Sequence, residues 1–171
     1  TIGRLNNDFI IKGDELKRTT FLFKAGKQLG KMSVEGNVFY SNQRRNNTTT
    51  GLYSQLLQTA TNIPVGQFEN SGNNGHWNVY YRNPYWTRDN VRNTSTSDLI
   101  NAQVNLGYTF NKNISAIWRP SVRLITDGFT SYTNAFTSAE DTYNSYSNRI
   151  VISNYADNTS FERALNSDFI V

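Results

Sequence analysis

The 171 residues contain no cysteine, a single histidine, a single methionine and three prolines. Without cysteine there is neither a disulfide framework nor a thiolate metal site. No run of 18 or more apolar residues occurs, which excludes a transmembrane helix. Charge is sparse, at 18% of residues, and the balance is +4 with a pI of about 9.4. The basic residues are scattered along the chain (Arg4, Lys12, Lys24, Arg82, Arg119, Arg163). That scatter suits a solvated surface or lumen better than a nucleic-acid-binding stripe, so no nucleic acid is expected as a partner.

Motifs that carry chemistry are equally scarce. His76 stands in Gly75-His76-Trp77 without the two or three His, Cys or carboxylate partners that a metal site requires, and Glu69 and Asp89 are isolated. Glu140 and Asp141 are neighbours, and on a strand neighbours point apart, which leaves no defined carboxylate separation for glycoside hydrolysis. No serine elbow, P-loop or dinucleotide fingerprint is present. The triplets at Asn46, Asn93 and Asn158 match the glycosylation pattern by chance in a chain so rich in Asn and Thr. These absences predict no enzyme, no metal and no cofactor.

What the chain does have is period-two alternation. From Lys31 to Gln43 one face carries Met32, Val34, Gly36, Val38 and Tyr40, and the other Ser33, Glu35, Asn37 and Ser41, with Phe39 the exception. Ile100, Ala102, Val104, Leu106, Tyr108 and Phe110 alternate with Asn101, Gln103, Asn105, Gly107 and Thr109. Ala116, Trp118, Val122 and Leu124 alternate in the same way with Ser115, Arg119, Ser121 and Arg123. A soluble β-sandwich also alternates, but here the apolar faces end in aromatics, as at the interfacial girdle of a membrane barrel. A mean hydropathy of −0.60 is compatible with such a barrel, because only every second strand residue needs to be apolar.

Strands are predicted over Leu5–Ile11, Thr19–Gln28, Lys31–Gln43, Leu99–Phe110 and Ile114–Ile125, with a further strand near the C-terminus. Tight turns fall at Leu29-Gly30 and Asn111-Lys112-Asn113, where Gly and Asn tolerate positive φ. Long loops span about 44–98 and 126–160. Short turns alternating with long loops are the pattern of an outer-membrane barrel. The fold expected is therefore all-β: a partial antiparallel transmembrane β-barrel, with 1–171 as a fragment of a single barrel domain. About six strands cannot close a barrel, and the chain stops within the strand-like run Ser167–Val171, so a larger parent is expected.

Several segments in order carry a family resemblance. Lys17-Arg18-Thr19-Thr20-Phe21 leads into Gly36-Asn37-Val38-Phe39-Tyr40-Ser41-Asn42-Gln43, followed by Leu56–Val65, Asn83-Pro84-Tyr85-Trp86, Leu99–Phe110 and Asn113-Ile114-Ser115-Ala116. This series resembles the early barrel of SusC/RagA-type TonB-dependent transporters over roughly Gly13 to Val171. The resemblance implies a barrel of 22 strands around a plug, in the outer membrane of Bacteroidota, importing glycans or peptides. It also implies a SusD-type lipoprotein lid, outer-membrane lipid around the wall, and energy from TonB. The plug and the TonB-contacting segment are not among these residues.

The best candidates for ligand or partner contact are the loop aromatics and their arginine: Trp77, Tyr80, Tyr81, Arg82, Tyr85 and Trp86. Tyr, Trp and Arg dominate interface hot spots, and aromatic faces stack on sugar rings. The competing reading is that they pack the long loop onto the barrel rim. Leu52, Leu56 and Leu57 give a weak helical period, which predicts a helix within that loop. Two other functions are to be weighed: a soluble or surface-exposed β-rich binding module, for example for glycans, and a non-transporting barrel acting as a structural partner.

Overall fold

A computed structural model describes residues 1–69, 83–137 and 150–171 of this chain, and the architecture is all-β. The first five strands are β1 (Ile2–Asp8), β2 (Glu15–Leu29), β3 (Met32–Asn47), β4 (Val91–Asn111) and β5 (Ile114–Thr133). Two short strands follow, β6 (Phe136–Thr137) and β7 (Ile150–Val151), and pair only with each other. The last strand, β8 (Asn154–Ile170), completes a six-stranded antiparallel sheet in the order β1-β2-β3-β4-β5-β8. The sheet is not closed: β1 and β8 are its edges. Among the described residues, no helix is long and apolar enough to cross a membrane.

The two hairpin turns use different chemistry. Leu29 pairs with Met32, so Gly30 and Lys31 form a two-residue turn. Gly30 has φ +59° and Lys31 does not have positive φ, the signs that a type II′ turn requires. At Asn111-Lys112-Asn113 the sequence suggested that Asn would supply positive φ, and this is not what happens. Instead the Asn111 side-chain oxygen accepts from the backbone N–H of Asn113 (2.9 Å) and of Ile114 (3.0 Å), an Asx turn.

The strands run further than alternation predicts. The first strand begins earlier and ends at Asp8 rather than Ile11, because Phe9 to Asp14 turn back, with Phe9 N–H donating to Asp14 O at 2.9 Å. β3 continues to Asn47, β4 starts at Val91, β5 reaches Thr133 and β8 starts at Asn154. The loops are correspondingly shorter than expected. In the added lengths, polar ladders replace apolar contacts: Thr94 Oγ1 donates to Asn46 Oδ1 at 2.8 Å, and Thr130 Oγ1 to Asp157 Oδ1 at 3.0 Å. Pro120, which has no N–H, interrupts the β4–β5 pairing opposite Val104 and Asn105, and the register resumes unshifted at Leu106 with Trp118.

Pairing puts the alternating residues of all strands on common faces. On one face lie Phe21, Phe23, Ala25 and Leu29 of β2, Met32, Val34, Val38 and Tyr40 of β3, and Ile100 to Tyr108 of β4 in alternate positions. Ala116, Trp118, Val122 and Leu124 of β5 and Phe161, Leu165 and Phe169 of β8 continue the same apolar band. The opposite face carries Lys24, Glu35, Asn37, Gln103, Asn105, Arg119 and Arg123. Among the described residues the buried apolar side chains are Leu52, Trp86 and Phe136, and none of them belongs to the sheet's faces. The exposed surface is 11859 Å² for 19.5 kDa. A compact protein of that mass would expose roughly 8,500 Å². Among the described residues, therefore, neither face of the sheet covers a core.

Candidate functional site

Among the described residues, the packed region is at the loop end of the sheet, and it is built around helix α2 (Pro84–Asn90). Asn83 caps it: the side-chain oxygen accepts from Tyr85 N–H at 2.9 Å, while its amide donates to the Phe68 carbonyl at 3.1 Å. Pro84 takes the first helical position, where its missing N–H costs nothing. The helix runs directly into β4, which fixes its orientation on the sheet.

Beneath the helix lies a buried polar clamp. Asp14, 7% exposed, accepts on one oxygen from Arg92 Nη1 at 2.7 Å and from Thr48 N–H at 3.0 Å. Arg92 also donates to the carbonyl oxygens of Gly13 and Arg88. Gly13 has φ +86°, and the Arg92 guanidinium lies over the position that a side chain would take there. Thr48 Oγ1 donates to the Val91 carbonyl at 2.9 Å. The β1–β2 turn, the end of β3 and the start of β4 are thus joined by one ion pair and its hydrogen bonds. A buried carboxylate needs such partners to remain charged.

Above the clamp an open groove of about 280 Å³ is walled by Ile10, Ile11, Leu52, Leu56, Val65 and Pro84. Helix α1 (Gly51–Leu57) supplies Leu52 and Leu56, four residues apart on one face, as the weak helical period predicted. Its Tyr53 and Leu57 are exposed. Tyr85, Lys12 and Arg88 complete the groove. Arg88 is held in a two-point ion pair with Asp89 (2.7 and 2.8 Å), and its guanidinium carbon lies 5.1 Å from the Tyr85 ring centre. Its pKa is raised further, chiefly by the hydrogen bonds to Asp89, so the cation is permanent. Lys12 is exposed and has no acidic partner among the described residues. The groove therefore suits an apolar or aromatic group whose polar end faces Lys12.

Of the residues singled out in the sequence, Tyr85 lines this groove. Trp86 is 5% exposed and packs edge-on to Phe136 with ring centres 4.5 Å apart, so its role is in the loop core. Trp77, Tyr80, Tyr81 and Arg82, like His76, lie outside the described residues. Sequence reasoning missed the contribution of Ile10, Ile11 and Lys12, which come from a different turn, and the Asp14–Arg92 pair, which is 78 residues apart. The Asn-Pro at the start of α2 was a readable capping signal.

A second concavity, about 400 Å³, lies on the polar face where Lys24, Gly26, Glu35, Asn37 and Asn105 meet. A Cβ at Gly26 would meet Glu35 Cγ at 3.0 Å, so the Glu35 side chain packs across the glycine. Amides and opposite charges alternate there, a surface suited to hydration and polar contacts. Among the described residues no three of His, Cys, Asp and Glu gather at metal-binding distance. Comparison with known proteins gives no matching family profile and no similar curated sequence.

Proposed function

We propose that this sheet is part of the wall of an outer-membrane β-barrel, with the apolar band facing lipid and the polar face lining the lumen. One observation carries the reading: on a single face, β2 to β5 each span nine residues (21–29, 32–40, 100–108 and 116–124) that are in register and free of charge except at Lys27, and among the described residues no core lies beneath. Nine residues at about 3.4 Å each, on strands tilted by about 35–45°, make a band roughly 20 Å tall, close to the ~25 Å of known barrels. Aromatics edge it: Phe21 and Tyr40 at the loop end, and Tyr108, Phe110, Trp118 and Phe169 at the turn end. The Tyr40 hydroxyl donates to Asp98 at 2.9 Å, in the first polar row beyond the band. An open sheet leaves unpaired N–H and C=O groups, which lipid does not tolerate, so β1 and β8 would pair with further strands of the parent barrel.

The resemblance to SusC/RagA-type transporters extends the proposal to TonB-dependent import of glycans or peptides. In that arrangement the loop-end groove with Tyr85 and Lys12 is the surface for substrate or for a SusD-type lipoprotein. Coupling to TonB would run through a plug domain of the same importer. Two neighbouring substitutions in the full-length protein test the barrel reading. Val104→Arg, at mid-band, should cost about 2–4 kcal/mol and lower the yield of heat-modifiable, membrane-inserted protein. Gln103→Arg, on the other face, should be tolerated. Equal tolerance of both, with full solubility in the absence of detergent, would instead favour a soluble β-rich binding module.

A further inference from the structure

The apolar face is not uniform. At its turn end Ala116 leaves a hollow of about 190 Å³ between Met32, Leu106, Tyr108, Trp118 and Phe169. Ala116 pairs with Tyr108, and Trp118 pairs with Leu106 on one side and Phe169 on the other, so large side chains surround a small one. The Trp118 indole N–H donates to Ser167 Oγ at 2.7 Å, so this polar atom already has its partner. The walls are three rings and three aliphatic side chains or stems, a narrow slot for a flexible hydrocarbon chain rather than for a ring system.

Charge at this end has one sign. Lys27 lies on the apolar face opposite Val34, Lys31 sits in the first turn and Lys112 at the apex of the second. No acidic residue occupies the apolar face anywhere in the band. The nearest sheet carboxylates, Glu35 and Asp168, pair with Gly26 and Arg119 on the opposite face. None of the three lysines has a salt bridge among the described residues. Lys31 uses one of its three donors on the Phe110 carbonyl at 2.9 Å, which leaves two. The loop end of the same face differs: there Asp8, Glu15, Asp98 and Asp157 are mixed with Arg4, Lys17, Arg44 and Arg92.

We infer that the hollow holds one acyl chain of an anionic phospholipid, whose headgroup phosphate is bound by Lys31 and Lys112 at the turns, with Lys27 adding charge of the same sign below them. The inference rests on the barrel reading above and adds a specific lipid to it. The Lys27 stem reaches along apolar surface toward the headgroup level while its ammonium leaves the hydrocarbon. Each lysine near an anionic lipid surface strengthens the association roughly fivefold. Ordinary lipid contact would show no such headgroup preference.

The test uses the full-length protein in lipid bilayers doped with phospholipids brominated on the acyl chain, which quench nearby tryptophan. The signal assigned to Trp118 is the emission removed by Trp118→Phe. Brominated phosphatidylglycerol should reach half-quenching at a mole fraction at least fivefold lower than brominated phosphatidylcholine. Lys27→Gln, Lys31→Gln and Lys112→Gln together should bring the two lipids level. Ala116→Phe, which fills the hollow and leaves the lysines, should weaken quenching by the anionic lipid, with heat-modifiable migration confirming that the barrel is intact. Equal quenching by both lipids in the unmodified protein, or a preference that survives the triple substitution, would overturn the inference and leave the barrel reading standing. Absence of quenching by either lipid would remove both.

Discussion

Arg92→Met is the sharpest perturbation of the loop end. The methionine keeps much of the arginine stem but removes the guanidinium, and with it the 2.7 Å bond to Asp14 and the bonds to the Gly13 and Arg88 carbonyls. Asp14 stays buried, with its side chain 8% exposed and only the Thr48 N–H still bonded to it. Removing one partner of a buried ion pair costs about 3–5 kcal/mol, because the other charge is left uncompensated. The retained Thr48 bond and the 14% exposure of the Arg92 side chain argue for the lower end, about 3 kcal/mol. The strands have their own ladders, so the loss should appear as local opening of the clamp rather than as unfolding of the sheet. Amide hydrogen exchange at Thr48 reads it directly: at about 1.4 kcal/mol per tenfold, exchange should speed up roughly 100-fold. Adding Asp14→Asn to Arg92→Met removes the stranded charge, so the double variant should open less than the sum of the two single variants implies. A change at Thr48 of less than threefold, or single effects that simply add, would refute the view that this pair holds the loop end.

Trp86→Ala should cost about 3–5 kcal/mol of loop stability, by loss of its buried contact with Phe136, and should be seen as faster proteolysis of the loop that carries α1 and α2. Tyr85→Ala should leave that proteolysis unchanged and weaken lid or substrate binding roughly tenfold if Tyr85 is an interface anchor; a photo-crosslinker placed at residue 85 would report the partner. Glu15 has its pKa lowered, first by the hydrogen bond to Lys17 and further by Asn46. Its contribution is therefore present above the ordinary glutamate pKa and lost as pH falls through the lowered value, so acid should loosen the start of β2, and Glu15→Gln should abolish that dependence in exchange measurements. If the variant shows the same acid response, the carboxylate is not its source.

How far the chain could be read from its letters varied with the kind of force involved. The centres of β3, β4 and β5 were legible because apolar and polar residues alternate there, with few exceptions such as Phe39 and Ile117. Their outer halves were not. Val91–Asp98 reads as a loop, since Arg, Asn, Thr, Ser and Asp give no apolar period, yet it pairs residue by residue with β5 and, from Asn93 on, with β3. A ladder of side-chain hydrogen bonds leaves no hydropathy signal. The groove was legible only in its local half: Leu52, Leu56 and Tyr85 belong to patterns within a few residues. Ile10, Lys12 and the Asp14–Arg92 pair depend on strand pairing that brings distant turns together, which no local window contains.

The polar extensions of β4 and β5 also set a distance. From Ile100, at the edge of the apolar band, to Val91 below α2 the strand climbs nine residues, roughly 30 Å along its axis at about 3.3 Å per residue. In the barrel reading, with strands tilted by about 35–45°, this lifts the groove roughly 20–25 Å above the edge of the apolar band. A partner anchored in the same leaflet by an acyl group must span that height before it can touch Tyr85. About seven fully extended residues would bridge it, whereas a relaxed flexible tether needs about sixteen to cover the same span on average. Tether length in such a partner thus becomes a measurable selector of what can dock.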